Sequence, residues 1–483
     1  MTDHQSSDKT NNATNSSVQE INALFQQQRT AYNNEPSPSA DIRKQRLKQL
    51  QALLRNNRTQ IIQAISQDFG HRSAHETKMA EFMPSLEGIK YTLKHLKKWM
   101  QPSKRRVGIQ LQPASAKVLY QPLGVVGIIV PWNYPLFLTI SPLTSALAAG
   151  NRVMIKLSEY TPVTSHLLTQ LINNTFPDKQ VVVINGDAET GARFSALPFD
   201  HLLFTGSTTV GKHIMEAASK NLTPLTLELG GKSPVIIDQD FPIKEAAERI
   251  CFGKSLNAGQ TCIAPDYVLL HKEQIQAFTD AYLNIFSTRY PDIEDFPRDY
   301  STIINEKQYQ RLQAMLADAK MKGATIETVE YPLHKNNNNR IMPVHLILNP
   351  ADDMQVMQEE IFGPLLPVIA IKSLDDAFQF IQNRPRPLSL YYFGYNKQRQ
   401  NKVLQHTHSG STCINDTVTQ AAVEDMPFGG IGSSGMGHYH GHEGFRTFSH
   451  ARSVLKKGRI NSTRIMYPPY RGLLQQWVLK LFS

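Results

Sequence analysis

Apolar residues recur every three or four positions across residues 21–32, 40–66 and 74–100, which predicts three amphipathic helices. Pro102 stops the last of them. Two short extended pieces, residues 107–111 and 116–120, are joined by Gln112-Pro113-Ala114-Ser115 and read as a polar hairpin that projects outward. The rhythm then changes. Short apolar runs at residues 125–130, 153–156, 181–184 and 201–204 have the length of buried strands. Helical stretches at residues 143–149, 163–175, 190–196 and 211–219 separate them. This alternation predicts an α/β fold, with a parallel sheet covered by helices on both faces. A second α/β pattern runs from Pro234 to Pro427, with a strand at residues 234–237 and helices at 246–254, 272–286 and 306–322. The asparagine run at residues 336–339 is a polar loop too short to separate domains, and no solenoid repeat is present.

Composition narrows the class. The chain has 483 residues, 41% of them hydrophobic, enough for two or three domains. Residues 1–20 are rich in Asn, Ser, Thr and Gln and read as a disordered tail without the apolar core of a secretory signal. Asn12-Ala13-Thr14 fits a glycosylation pattern, a chance match in a chain read as not exported. Three cysteines, Cys251, Cys262 and Cys413, make no disulfide framework and no metal-ligand spacing, which suits a reducing compartment; the expectation is a cytoplasmic protein. The formal net charge of +10 is modest over this length and favours anionic ligands such as a dinucleotide. The most basic stretch, Lys94 to Trp99 with Lys104, Arg105 and Arg106, keeps Leu93, Leu96 and Trp99 at helical spacing. It reads as a solvated helix face rather than a nucleic-acid surface.

The candidate chemistry centres on Cys262, which ends the run Asn257-Ala258-Gly259-Gln260-Thr261-Cys262. A thiol in so small a stretch meets a carbonyl unobstructed, and its thiolate is a strong nucleophile. Glu228 lies 34 residues upstream in Leu227-Glu228-Leu229-Gly230-Gly231-Lys232, where apolar neighbours suit a base with a raised pKa. The pair points to covalent chemistry on a carbonyl followed by attack of water. Asn133 follows the first buried strand, in Val130-Pro131-Trp132-Asn133-Tyr134-Pro135, as either an oxyanion donor or a structural turn residue. Phe204 to Gly211 leads from a strand into a helix; it is either a pyrophosphate turn or a bare connection, and it is not G-x-G-x-x-G. Lys156 and Glu159 end another strand, as ribose ligands or as a surface ion pair. Glu359 to Pro364 sets acids and an aromatic in a tight turn, and the glycine-rich Pro427 to Gly435 either lines a mouth or simply bends. His438, His440 and His442 alternate; lacking a matched carboxylate or cysteine, they read as a structural turn rather than a metal site.

In this order and spacing the pieces resemble the aldehyde dehydrogenase superfamily, over nearly the whole chain beyond the tail. Leu227 to Lys232 and Gly259 to Cys262 are the most specific elements. Residues 257–267 and Tyr439 to Phe445 are similar to the class-3 branch, and residues 133–140 are similar to coniferyl aldehyde dehydrogenases. The resemblance implies a Rossmann-like NAD-binding domain (residues 21–106 and 121–228) and a catalytic domain (229–445). It also implies β oligomerisation arms (107–120 and 446–457), a C-terminal tail (458–483) and a homodimer. It implies that Cys262 is the nucleophile, Glu228 the general base and Asn133 the oxyanion donor, aided by the Cys262 amide. Trp132, Lys156, Glu159, Gly206, Ser207, Gly211, Glu360 and Phe362 fall on its cofactor side, while Thr208 and Thr209 depart from the acid many relatives carry. The cofactor expected is NAD, with NADP accepted, because a carboxylate at Glu159 repels a 2′-phosphate. The implied reaction is oxidation of an aldehyde, aromatic such as coniferaldehyde, to the acid through a thiohemiacetal and a thioester. Ser141 and other small residues allow bulky substrates without choosing among them, so a fatty or general aldehyde is the alternative. A non-catalytic dinucleotide-binding relative is the alternative from another class.

The C-terminal end stands apart. Leu473, Leu474, Trp477, Val478, Leu481 and Phe482 share one helix face, too short to span a bilayer. Three readings follow: packing on the chain's own surface, which is preferred, capping of a partner's substrate tunnel, or weak peripheral membrane contact.

Overall fold

The computed structural model describes residues 17–291, 293, 298–331, 340–470 and 472–482. The asparagine run and the Asn12 pattern lie outside them. The expected tail ends earlier than its composition suggested. Ser17 caps a helix over Val18–Asn34: its hydroxyl accepts from the Glu20 amide at 3.1 Å, and the Glu20 carboxylate accepts the Ser17 amide at 3.3 Å.

The first third is helical but more broken than periodicity predicts. The stretch expected at 40–66 divides into Ala40–Asn56 and Arg58–Phe69, because Asn57 leaves helical geometry and its side-chain amide donates to the Leu53 carbonyl at 2.8 Å. The stretch at 74–100 divides into Ala74–Thr77, a π-turn over Lys78–Phe82 and Met83–Trp99. Pro84 has no N–H to donate and crowds the preceding turn, which a widened π-turn relieves. Conversely, the helix expected from residue 143 begins at Phe137 and continues through Pro142, because nearly every side chain along it is buried.

Short apolar runs become strands where helices cover both faces. One six-stranded sheet has the order Gly435–Met436, Leu225–Glu228, His201–Thr205, Val125–Ile129, Arg152–Lys156, Val181–Ile184, parallel except for the first pair. The strand order reverses at Val125–Ile129, so a crevice opens beyond the carboxyl ends of this strand and its neighbours. A seven-stranded sheet, parallel except at the Thr325–Thr328 edge, has Pro234–Ile237, Tyr267–His271 and Ser389–Phe393 among its strands. The helical third packs on the six-stranded sheet in one apolar cluster that includes Leu47, Leu50, Ile61, Val126 and Ile155, each worth ~1.5–3 kcal/mol when fully buried.

A three-stranded antiparallel sheet joins Ser103–Arg105, Ala114–Pro122 and Ser449–Lys457. The hairpin is therefore present with a different first strand: residues 107–111 do not pair with it, and Ile109–Leu111 is a 3₁₀ turn with Ile109 83% exposed. Where no face is buried, apolar alternation does not set register. Three of the six apolar side chains expected to pack on the chain's own surface from the helix Leu473–Phe482 do not do so. Leu473, Leu474 and Trp477 are exposed, and among the described residues Gln475 ties the helix to the carbonyls of Ile465 and Tyr467. Among the described residues no helix is long and apolar enough to cross a membrane.

One buried cation links these parts. Arg72, at the turn after Arg58–Phe69, donates to Glu76 at 3.1 Å, to Glu81 at 2.9 Å and to the Asn133 carbonyl at 3.1 Å. The other Glu81 oxygen accepts the amides of Leu136 and Phe137 at 2.8 and 3.0 Å. Removing one partner of a buried ion pair strands the other, so Glu81→Ala should lower stability by ~3–5 kcal/mol in urea unfolding. An unfolding midpoint equal to the wild type would mean that the pair does not hold this loop.

Candidate active site

Three strand ends and one helix end meet at the crevice. After Val125–Ile129 the chain runs out to Asn133, which is 3% exposed and whose carboxamide donates to the Gln260 carbonyl at 3.2 Å. The Asn257 side chain also donates to the Asn133 carbonyl, at 3.0 Å. The helix Ile243–Ser255 delivers the facing loop. Asn257, Ala258 and Gly259 stand at φ 52°, 51° and 74° in succession. Only a glycine fits at 259, since a Cβ there would come within 2.4 Å of the Gly363 carbonyl. Buried Gln260 then pins the loop: its amide donates to Asn257 and Thr302 carbonyls at 2.9 and 3.1 Å, and its oxygen accepts from Ile304 at 2.9 Å. Thr261 shares a 2.6 Å hydrogen bond with Tyr134. Cys262, half-buried, follows and packs against the apolar cluster that includes Tyr134, Ile263, Phe428 and Tyr439.

Glu228 ends the strand Leu225–Glu228 and is 3% exposed, yet neither carboxylate oxygen has a hydrogen-bond partner. Burial alone pushes its pKa well above the usual carboxylate range. Desolvation, reinforced by the charges of Glu360 and Glu228, raises the Cys262 thiol to about 12. Sequence thus separates by dozens of residues what the fold sets within electrostatic reach. The glycine-rich loop does more than bend: Gly435 pairs with Glu228, at a place where a Cβ would meet the Leu227 carbonyl at 2.0 Å.

Lys156, Gly206 and Ser207 stand at the carboxyl ends of strands of the same sheet, and Glu360 lies against Gly230. Glu360 has one oxygen without a partner, and burial, with the nearby Asp266 charge, raises it to about 8. It crosses so close to Gly230 that a Cβ there would lie 1.9 Å from its oxygen. Phe362, at φ 49°, sets its ring against Trp132 at 5.3 Å, edge to face. Lys232 holds this turn through the Val356 and Glu359 carbonyls at 2.6 and 2.9 Å. Lys156, 3% exposed, pairs with the more exposed Glu159 at 2.9 Å, so both the ion pair and the strand-end position are real. Gly206 and Ser207 lead into Thr208–Ser219, with Ser207 as its N-cap; a Cβ at Gly211 would meet Leu229 at 2.8 Å. The histidines part company: His438 is exposed, His442 stacks on Trp99 at 5.7 Å and His440 is buried.

Sequence reasoning passed over Lys254. It is 1% exposed, its ammonium has no partner, and burial lowers it to about 8. The signal was legible: Lys254 follows Ile250 by one helical turn on the face that carries Ala246 and Ala247. Arg72 and Glu81 were passed over too, since helical periodicity alone does not mark a buried charge.

Comparison with known proteins shows the family. The model of the aldehyde dehydrogenase family matches residues 1–454. The chain is 58% identical over 469 residues to a probable coniferyl aldehyde dehydrogenase of Pseudomonas aeruginosa, covering 96% of this chain and 98% of that one. It is 41% identical over 456 residues to a coniferyl aldehyde dehydrogenase of Pseudomonas sp., covering 94% of each. The solved structure of the substrate-bound state of Staphylococcus aureus AldH superposes with a TM-score of 0.90 at 38% identity, over 96% of this chain and 99% of that one. The chain belongs to the aldehyde dehydrogenase family and is an NAD(P)-dependent oxidoreductase that acts on aldehydes.

Proposed function

We propose that Cys262, Glu228 and Asn133 carry out the oxidation, and that the substrate is an aromatic aldehyde such as coniferaldehyde. The observation that carries the assignment is Glu228: a buried carboxylate without a partner, within electrostatic reach of one thiol. A base desolvated in this way holds a proton more strongly than a solvated one, which suits it to take a proton from water. The aromatic-aldehyde reading is supported by the likeness to enzymes named for coniferyl aldehyde and by the aromatic side chains Tyr134, Phe428 and Tyr439 in the cluster against which Cys262 packs.

The residues fit a dinucleotide. A Cβ would meet Phe204 at Gly206 and Leu229 at Gly211, so the turn needs both glycines to lie close on its sheet; the helix Thr208–Ser219 starts at that turn, and Glu360 has an unpaired oxygen for a hydroxyl. In this reading Gly206, Ser207 and Gly211 hold the pyrophosphate, Lys156 and Glu159 one ribose and Glu360 the other, with Trp132 and Phe362 beside it. The chemistry the dinucleotide supplies when bound is acceptance of a hydride, which converts the thiohemiacetal carbon to a thioester.

The chain's own residues do the rest. Cys262 gives up its proton to solvent and its sulfur, as the thiolate, bonds to the aldehyde carbon, which leaves Glu228 unprotonated for the later step. Asn133 and the Cys262 amide hold the resulting oxyanion, a donor of this kind being worth ~2.7–4 kcal/mol. After the thioester forms, Glu228 takes a proton from water, hydroxide attacks the carbonyl, and the carbon–sulfur bond breaks to release the acid and free the thiol. We further propose that the six-stranded sheet forms the cofactor-binding domain and the seven-stranded sheet the catalytic domain. The protein is read as a cytoplasmic homodimer joined through the exposed edge strand Ser449–Lys457, with weak membrane contact at Leu473, Leu474 and Trp477.

Cys262→Ala should abolish NADH formation, while Glu228→Gln should give one rapid turnover and then a kcat lower by about 100-fold or more. A fully active Glu228→Gln enzyme would remove Glu228 from the mechanism. The raised thiol pKa has a definite sign: below about 12 the group stays protonated, so iodoacetamide labelling of Cys262 in dinucleotide-free enzyme should be slow at pH 7 and climb through pH 10. Fast labelling that ignores pH would contradict this. The Glu159 carboxylate predicts a lower KM for NAD than for NADP; a reversed ratio on purified enzyme would reject its place at the ribose.

A further inference from the structure

The turn that carries Cys262 is anchored on both sides of the sulfur. Thr261 and Ala264 close it, the Ala264 amide donating to the Thr261 carbonyl at 2.9 Å, with Cys262 and Ile263 between them. Upstream, the Asn133 carboxamide donates to the Gln260 carbonyl and Tyr134 bonds Thr261. That side is therefore registered to the loop beyond Val125–Ile129, in the six-stranded sheet. Downstream, the Ile263 carbonyl accepts from the hydroxyl of Tyr391. Tyr391 belongs to Ser389–Phe393, which lies between Pro234–Ile237 and Ser411–Ile414 in the seven-stranded sheet. The peptide that joins Ile263 to Ala264 is thus held at both polar ends, its N–H by Thr261 and its C=O by Tyr391.

Tyr391 is fully buried, and a phenylalanine would fill the same space without a hydroxyl to satisfy. The hydroxyl has one proton, and Gln420 settles where it goes. The Gln420 carboxamide donates to the Tyr391 oxygen at 3.3 Å and to the Ser389 hydroxyl at 3.1 Å, so the phenol accepts on that side and donates to Ile263. Gln420 lies two residues after Val418, which stands at φ 57°, an outlier for a β-branched residue. Such strain persists only where the surroundings over-determine it. Thr417, just before, donates to the Arg249 carbonyl at 2.7 Å, on the helix that delivers the cysteine loop.

We propose that Tyr391 is a positioning residue, which through the Ile263 carbonyl sets the direction of the Cys262 sulfur relative to the oxyanion donor Asn133. This rests on the reading of Cys262 as the nucleophile. Each sheet then fixes one side of the turn, and the angle between donor and sulfur follows from the two anchors together. Without the hydroxyl the Ile263 carbonyl loses its partner and the turn keeps only its upstream anchor. The thiol itself stays in place and reactive, so the loss falls on its alignment with the donor.

The test follows NADH formation in single turnovers of the full chain, with enzyme in excess over benzaldehyde or hexanal, whichever the wild type oxidises faster, and NAD saturating. In Tyr391→Phe the rate should fall by about tenfold to a hundredfold, while iodoacetamide labelling of Cys262 at alkaline pH, which needs no oxyanion donor, stays within about threefold of the wild type. Gln420→Leu, which removes the group that directs the phenol's proton, should slow the same step by a smaller factor. An unchanged single-turnover rate in Tyr391→Phe overturns the proposal. So does an equal loss of labelling and turnover, which would mean that the loop has only lost its shape. Should Tyr391→Phe fail to fold, Gln420→Leu decides: a slowed turnover with unchanged labelling supports the proposal, and an unchanged turnover overturns it. Cys262→Ala separates the two readings. If it forms NADH at the wild-type rate, the nucleophile reading falls and the proposal with it; if it is inactive while Tyr391→Phe is as fast as the wild type, only the proposal falls.

Discussion

A fully buried guanidinium, Arg72, holds the site in register. Its donors join two acids of the helical third to the Asn133 carbonyl, and Glu81 passes the tie on to the first turn of the Phe137–Ala149 helix. From Asn133 the connection continues to the Gln260 carbonyl and through Gln260 to Thr302 and Ile304. Thr302 returns it to the first third through the His71 carbonyl at 3.1 Å. A closed circuit of hydrogen bonds therefore surrounds the loop that bears Cys262. Such a network is costly to break, because removing one buried member leaves its partners unpaired.

That rigidity allows the site to keep groups that would otherwise find partners. Glu228, Glu360 and Lys254 each retain a buried polar atom with none. Desolvation moves both acids up and the lysine down, so each is nearer to neutral than it would be in water. Groups displaced in this way exchange protons more readily near neutral pH, and such displacement concentrates where chemistry is done. The cost of holding them falls on the adjoining backbone: glycines at 230, 259 and 435 that admit close approach, and residues 257 and 258 held in left-handed conformations.

Much of this was legible in the residues. The short apolar runs marked four parallel strands of the six-stranded sheet and one of the seven-stranded sheet, because strands covered on two faces read as unbroken hydrophobic segments. The thiol stood out because it ends a small, glycine-containing stretch, and Glu228 because it sits between apolar residues ahead of a Gly-Gly pair. What stayed hidden depends on tertiary context. Helical periodicity does not register the break at Asn57 or the widened turn before Met83, since both keep apolar side chains on the same face. The arm's first strand was misplaced because an exposed sheet has no buried face to fix its register. His440 read as a turn residue because nothing in an alternating histidine run reveals which ring is buried.

The account depends on one sulfur becoming acylated and then freed by water. The most direct measurement is the intact mass of wild-type enzyme quenched during steady-state turnover, with peptide mapping of the added mass. The account predicts that a fraction of the chains carries the substrate's acyl group on Cys262. Acid accumulating while that thiol stays unmodified at every time point would contradict it.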